Sequence, residues 1–130
     1  MDVLTHILLG ILLGAIAGGD YWWWILFSIA PDIPQIFLYL LLGYRNKRKF
    51  LFPKAIDWDE FSNSKWSALF FLPHTVYAWA LASLIFGPIA SIAYGVHLLV
   101  DWPSHTGEWE LRPFYPASQS LPGLFDGWKR

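Results

Sequence analysis

The chain has 130 residues, of which 55% are hydrophobic and only 15% are charged. A single domain with so few charges lies outside the usual range for soluble proteins, and we expect lipid to surround much of it. The net charge of −1 lacks the surplus of basic residues that nucleic-acid binding requires. The absence of Cys excludes disulfides and thiolate metal ligands.

Two apolar segments come first. Segment one runs from about Val3 to Ala17 and stops at a Gly-Gly-Asp turn. At helical rise it is about 22 Å long, short of the roughly 30 Å core of a bilayer, and it lacks the basic flank of a secretory signal. Segment two, about Tyr21 to Gly43, opens with three Trp that suit a membrane interface. Pro31 should break it, and the pattern predicts that Asp32 marks an interior site.

A polar connection over residues 44–65 follows, and its basic run Arg45–Lys49 predicts by the positive-inside rule that it lies in the cytoplasm. The same rule places both termini of a multi-pass protein on that side. Segments three and four are predicted over about Trp66 to Phe86 and about Ile89 to Trp102, separated by a Gly-Pro turn.

The predicted fold is an all-α integral membrane bundle of about four helices, with the second helix broken at Pro31-Asp32. Residues 1–102 form the transmembrane domain. Residues 103–130 are rich in Pro, Gly and Ser, and we expect an irregular tail that packs over the site.

Ionisable residues inside the apolar segments indicate a metal site. Asp32 and Asp101 each cost about 2.5 to 3.5 kcal/mol at the centre of a membrane helix, and the segments hold no Lys or Arg to neutralise them. His97 and Asp101 share one helix face, while His6 and His74 add imidazoles. This ligand set suits zinc, and also manganese or iron. Each residue alone also fits a packing histidine or, for Asp32, a helix cap.

The same residues lie in short motifs along the chain: Thr5-His6, Pro31-Asp32, Pro73-His74-Thr75, Gly95 to Asp101, and Ser104 to Gly107. In this order they resemble the YdjM-like family of inner-membrane, metal-dependent hydrolases. The resemblance implies an inner-membrane location and a His and Asp pattern of the zinc-dependent phospholipase C type. One member is described as binding the LexA repressor, which implies that a protein partner is possible. Many members have a further His where Phe71-Leu72-Pro73 stands, so a binuclear site is in doubt, and His105 is the candidate replacement.

Three hypotheses fit these observations. In a hydrolase, a metal-activated water attacks an ester or phosphoester of an amphiphilic, membrane-associated substrate, and Asp32 or Asp101 is catalytic. In a non-enzymatic scaffold or regulatory protein-binding protein, the groups form a structural metal site or a polar network. An ion conduit is disfavoured because the polar groups lie in one half of the bilayer. His105, Glu108 and Arg112 are possible additional site residues in the tail.

Overall fold

The computed structural model describes residues 3–45, 65–107 and 110–125, and these are mainly helical. No strand occurs in these ranges, where Leu111 and Leu121 form an isolated antiparallel bridge. The predicted all-α fold is confirmed. Most of the predicted cytoplasmic connection, with its basic run after Arg45, lies outside the described residues, as does Glu108. Within the described ranges, none of the helices combines the length and the apolar content that crossing a bilayer requires.

Helices α1 (Val3–Ala17) and α2 (Tyr21–Ile29) form a hairpin, with the bounds of α1 as predicted. The connecting Gly18 and Gly19 have φ angles of 77° and 91°, which favour glycine, and the Asp20 side chain then caps α2 by accepting the backbone N–H of its second residue. The turn chemistry therefore fixes where α1 ends and α2 begins.

After α2 the chain passes through the 3-10 turn Ala30–Asp32 into helix α3 (Ile33–Arg45). Pro31 has no amide hydrogen to continue the α-helical ladder, so the helix breaks where the sequence predicts. The break holds Asp32 in a buried position.

The predicted third helix is not continuous, and that expectation was wrong. The structure has a 3-10 turn (Lys65–Ser67), a short helix α4 (Ala68–Phe71), a turn over residues 72–75, and helix α5 (Val76–Phe86). The Thr75 hydroxyl accepts the Ala78 N–H at 3.1 Å and starts α5 afresh, while Pro73 cannot donate within the turn.

Helix α6 (Pro88–Asp101) follows directly and runs into a 3-10 turn (Trp102–Ser104). It packs against α2 through a small apolar core of Trp24, Phe27, Ala90 and Ala93. This contact sets the two helices side by side.

The described part of the tail folds back onto the helices. The Pro113 carbonyl accepts the Val76 N–H at 2.9 Å, and the Tyr115 ring stacks on Phe71 with centroids 5.5 Å apart. Further along, the Pro103 carbonyl accepts the N–H groups of Leu124 and Phe125. The tail thus packs beside α4, the start of α5 and the turn that follows α6.

In the part of the chain that the structure describes, polar side chains are common among the buried residues and large apolar side chains among the exposed ones. The buried set is rich in polar groups, with His97 fully inaccessible, whereas Leu84 is 85% exposed. Other strongly exposed apolar side chains occur on several helices: Leu8, Ile16, Trp22, Phe37 and Leu99. The described part of the bundle consequently has many apolar side chains on its outer surface.

Candidate metal centre

The five residues that the sequence singles out converge at one end of the bundle. At helical rise, His97 is about 15 Å from the turn at Gly87, and His6 about 18 Å from the turn at Gly18. Trp24 links the two turns, since its indole N–H donates to the Gly18 carbonyl at 3.0 Å and it belongs to the apolar cluster that contains Ala90, three residues after Gly87. The two turns therefore share one end, which we call the turn end, and the cluster occupies the opposite, ligand end.

Four side chains at the ligand end point one atom each at a common centre. The atoms are Nε2 of His74 and His97, Oδ1 of Asp32 and Oδ2 of Asp101, and all four residues are buried. The nitrogen to oxygen distances are 3.6 Å and 3.6 Å from His74, and 4.0 Å and 3.3 Å from His97. This four-ligand cluster could hold a metal ion.

Backbone carbonyls fix the ring orientation of both cluster histidines. Nδ1 of His74 lies 2.7 Å from the Phe70 carbonyl, and Nδ1 of His97 lies 2.7 Å from the Ser28 carbonyl. A carbonyl only accepts, so each Nδ1 carries the hydrogen, and in a neutral ring Nε2 then presents a lone pair to the cluster. Metal-binding histidines are commonly oriented by such an outer hydrogen bond.

The resulting arrangement places two lone pairs face to face. Nε2 of His74 and Nε2 of His97 are 3.4 Å apart, and neither has a hydrogen to donate when the rings are neutral. Two carboxylates complete the set, so a cation between the ligands, or a proton on one of the rings, makes the contacts favourable. An ion with tetrahedral ligands at about 2.1 Å would separate neighbouring ligand atoms by roughly 3.4 Å. The nitrogen to oxygen distances here run from 3.3 Å to 4.0 Å, and all four ligand atoms lie within 4.8 Å of one another.

His6 differs from the other two histidines. Its Nε2 lies 3.1 Å from Oδ1 of Asp101 and 3.8 Å from Oδ2 of Asp32, the second oxygen of each carboxylate. Within the described part of the chain, its buried Nδ1 has no hydrogen-bond partner, unlike the Nδ1 atoms of His74 and His97. The ring stacks on His97, with centroids 3.9 Å apart. Nε2–H of His6 therefore suits a donor that orients the carboxylates better than a ligand.

The two carboxylates also differ in accessibility. The Asp32 side chain is 10% exposed, whereas that of Asp101 is 2% exposed and lies within 3.6 Å of all three histidines. Asp101 is consequently the more rigidly held, and Asp32 borders the more open side of the cluster.

Of the tail residues proposed as additions, His105 and Arg112 are described by the structure, and both lie outside the four-ligand cluster. His105 is buried, and its Nδ1 donates to the Asp101 carbonyl at 2.7 Å. Burial lowers the pKa of His105 to about 4, so this ring is neutral at neutral pH. The Arg112 guanidinium lies 4.3 Å above the Phe71 ring. These contacts make His105 a support for the end of α6 and Arg112 a packing residue of the tail.

Sequence reasoning missed the backbone partners of the histidines. Phe70 lies one helical turn before His74, and because the His74 N–H bonds the Phe71 carbonyl, the ring nitrogen takes the carbonyl of Phe70. That local pairing has a signal, namely a proline that ends a helix just before the histidine. The bond from His97 to Ser28 joins two helices and has no such local signal.

No family model, curated protein or solved structure matches the chain. The roles given to the cluster residues therefore rest on their geometry.

Proposed function

We propose that the chain is a membrane-embedded, metal-dependent hydrolase that cleaves an ester or phosphoester of an amphiphilic substrate. The observation that carries this proposal is the pair of imidazole Nε2 atoms, 3.4 Å apart, each oriented by a backbone carbonyl and flanked by two carboxylates. A divalent cation neutralises the carboxylates and gives both lone pairs a partner.

Zinc is the ion that this donor set suits best. Two imidazole nitrogens and two carboxylate oxygens are hard to borderline donors, and manganese or iron would also accept them. When bound, such an ion supplies Lewis acidity and a water whose pKa is lowered toward about 7.

The carboxylates and His6 have different roles in the proposed reaction. Asp32, on the more open side, accepts the proton of the attacking water as the water oxygen bonds to phosphorus or to the ester carbon. The bond to the alcohol then breaks, and Asp32 returns the proton to the departing oxygen. Asp101 stays ionised between three histidines, and His6 holds it in place.

The apolar outer surface supports the membrane part of the proposal. Exposure of Ile16 and Leu84 to water is unfavourable, whereas contact with lipid acyl chains removes this cost. The polar groups at the ligand end are buried inside the bundle, which keeps them out of contact with lipid. The resemblance to the YdjM-like family adds an inner-membrane location and a protein partner to this proposal. The positive-inside rule adds a multi-pass topology with both termini cytoplasmic.

A non-enzymatic scaffold with a structural metal is the alternative. It is favoured by the four protein ligands, because structural zinc sites are usually closed by four ligands, whereas catalytic sites keep a position for water. A polar network that holds a shared proton in place of the metal belongs to the same alternative.

Two measurements separate the enzyme from the scaffold. X-ray absorption of the zinc-loaded protein should show a water oxygen beside the protein ligands, and the protein should hydrolyse bis(p-nitrophenyl) phosphate in detergent. Asp32→Asn should lower the rate by at least about a hundredfold, whereas Asp20→Asn, which alters an exposed helix cap, should not. A four-coordinate site without water and without hydrolysis would support the scaffold instead.

A further inference from the structure

An open groove of about 420 Å³ lies between α5 and α6, beside the four-ligand cluster. Its walls are mostly apolar, and they include Leu72, Ala78, Leu81 and the ring of Tyr94. From Thr75 to Leu81 the groove follows α5 for about 9 Å at helical rise. It is therefore elongated and leads away from the cluster.

The groove begins where the cluster ends. Pro73 and Thr75 line the groove, and His74 between them sends Nε2 into the cluster. Tyr94 lines the groove from α6, and its hydroxyl donates to the Pro73 carbonyl, which ties α6 to this turn. Tyr94, His97 and Asp101 are spaced three and four residues apart, so they lie on one face of α6. A molecule can thus reach both sites at once.

We propose that the groove binds the linear hydrocarbon chain of an amphiphile whose acidic headgroup lies at the four-ligand cluster. This inference rests on the proposed function, because it names the class of substrate for the same site. It assigns to the groove the part of the substrate that does not react.

The chemistry of the walls favours a hydrocarbon chain over a polar ligand. The Thr75 hydroxyl is already engaged with the Leu72 carbonyl and the Ala78 N–H, and the Tyr94 hydroxyl with Pro73. A polar ligand would lose water contacts in the groove without gaining hydrogen bonds from these groups. Leu81 and Tyr77 are 59% and 60% exposed, so the outer end opens onto the apolar surface, from which a chain can enter.

The test is calorimetric titration of the zinc-loaded protein in detergent with ethyl-, butyl-, hexyl-, octyl- and decylphosphonate, which cannot be hydrolysed at the P–C bond. Affinity should rise about twofold to fourfold per added methylene and level off once the chain exceeds the length of the groove. Ala78→Trp fills the groove and should flatten this dependence. Ala80→Trp, on an exposed position of the same helix, should retain it and corrects for partition of the probes into micelles.

Leu81→Trp, near the outer end of the groove, provides a second variant and should shorten the chain length at which affinity levels off. A chain-length dependence that is absent in the wild type, or that is the same in Ala78→Trp and Ala80→Trp, would overturn the inference. Hydrolysis of bis(p-nitrophenyl) phosphate, which has no alkyl chain, tests the proposed function separately. Hydrolysis without chain-length dependence refutes the groove alone, whereas chain-dependent binding without hydrolysis refutes the enzyme alone.

Discussion

The turn end and the ligand end of the bundle are held together by different forces. At the turn end, a small residue lets aromatic rings pack on the backbone of α1, since a Cβ on Gly14 would lie 2.9 Å from the Tyr21 ring and 3.2 Å from the Trp24 ring. At the ligand end, buried carboxylates and imidazoles face one another, and the Phe70 ring stacks on His74 with centroids 4.7 Å apart. Steric fit completes the first region, whereas the charges of the second have to be balanced by a cation or a proton. The comparison teaches that metal binding and helix packing can be altered separately.

The largest expected effect is on the metal. Asp101→Asn removes a charged ligand from the four-ligand cluster while keeping its size, and we expect zinc affinity to fall by more than about a hundredfold. Isothermal titration of the purified variants measures this. Asp20→Asn, at the turn end, is the matched control and should bind zinc like the wild type. Equal zinc affinities for the two variants would show that the ligand end does not bind the metal.

The next effect should appear at the turn end and concern folding. Gly14→Val places a branched side chain against the rings of Tyr21 and Trp24, and overpacking of this kind costs about 1 to 3 kcal/mol. Thermal unfolding in detergent should show the loss, and Ala15→Val, exposed on the same helix, is the control. A normal melting temperature for Gly14→Val would mean that steric fit does not hold this end together.

A smaller effect sharpens the description of the ligand end. His6→Phe keeps a ring stacked on His97 but removes the N–H that orients Asp101, so zinc affinity should fall by about tenfold. The same titration that measures Asp101→Asn measures this variant. A loss as large as that of Asp101→Asn would show that His6 binds the metal directly, as the sequence predicts.

The smallest expected effect tests the support that the tail gives to the ligand end. A Cβ on Gly123 would lie 2.2 Å from the carbonyl oxygen of His105, so Gly123→Ala must displace the tail there. We expect a loss of about 1 kcal/mol in stability and a zinc affinity reduced by less than tenfold. Faster proteolysis of the tail, with helical circular dichroism unchanged, would accompany it. Unchanged proteolysis would show that the tail does not depend on this contact.

Local signals in the sequence predict part of this fold. The Gly-Gly-Asp turn gives the end of α1, and Pro31 gives the break before α3, because both act through their immediate neighbours. Pro73 has the same property, but the apolar run around it suggests one helix, and the new start at Thr75 depends on a side-chain cap. The tail bonds to Pro103 and Val76 link distant residues and have no local signal.

The candidate site is predictable in membership but not in roles. Unpaired acids among apolar segments single out Asp32 and Asp101, and the histidines supply partners of the right kind. The role of His6 depends on whether a backbone carbonyl accepts a hydrogen bond from its Nδ1, as it does for the two cluster histidines. The packing of the helices decides this, and the sequence does not show it. The groove arises in the same way, from the contact of α5 with α6.

The most direct test of the central claim is elemental analysis of the purified protein, wild type and His97→Ala, by inductively coupled plasma mass spectrometry. We predict about one divalent ion per wild-type chain, and little or none in His97→Ala, whose helical circular dichroism should stay close to that of the wild type. A folded wild-type protein without metal, even after incubation with zinc, or a metal content that His97→Ala leaves unchanged, would contradict the account.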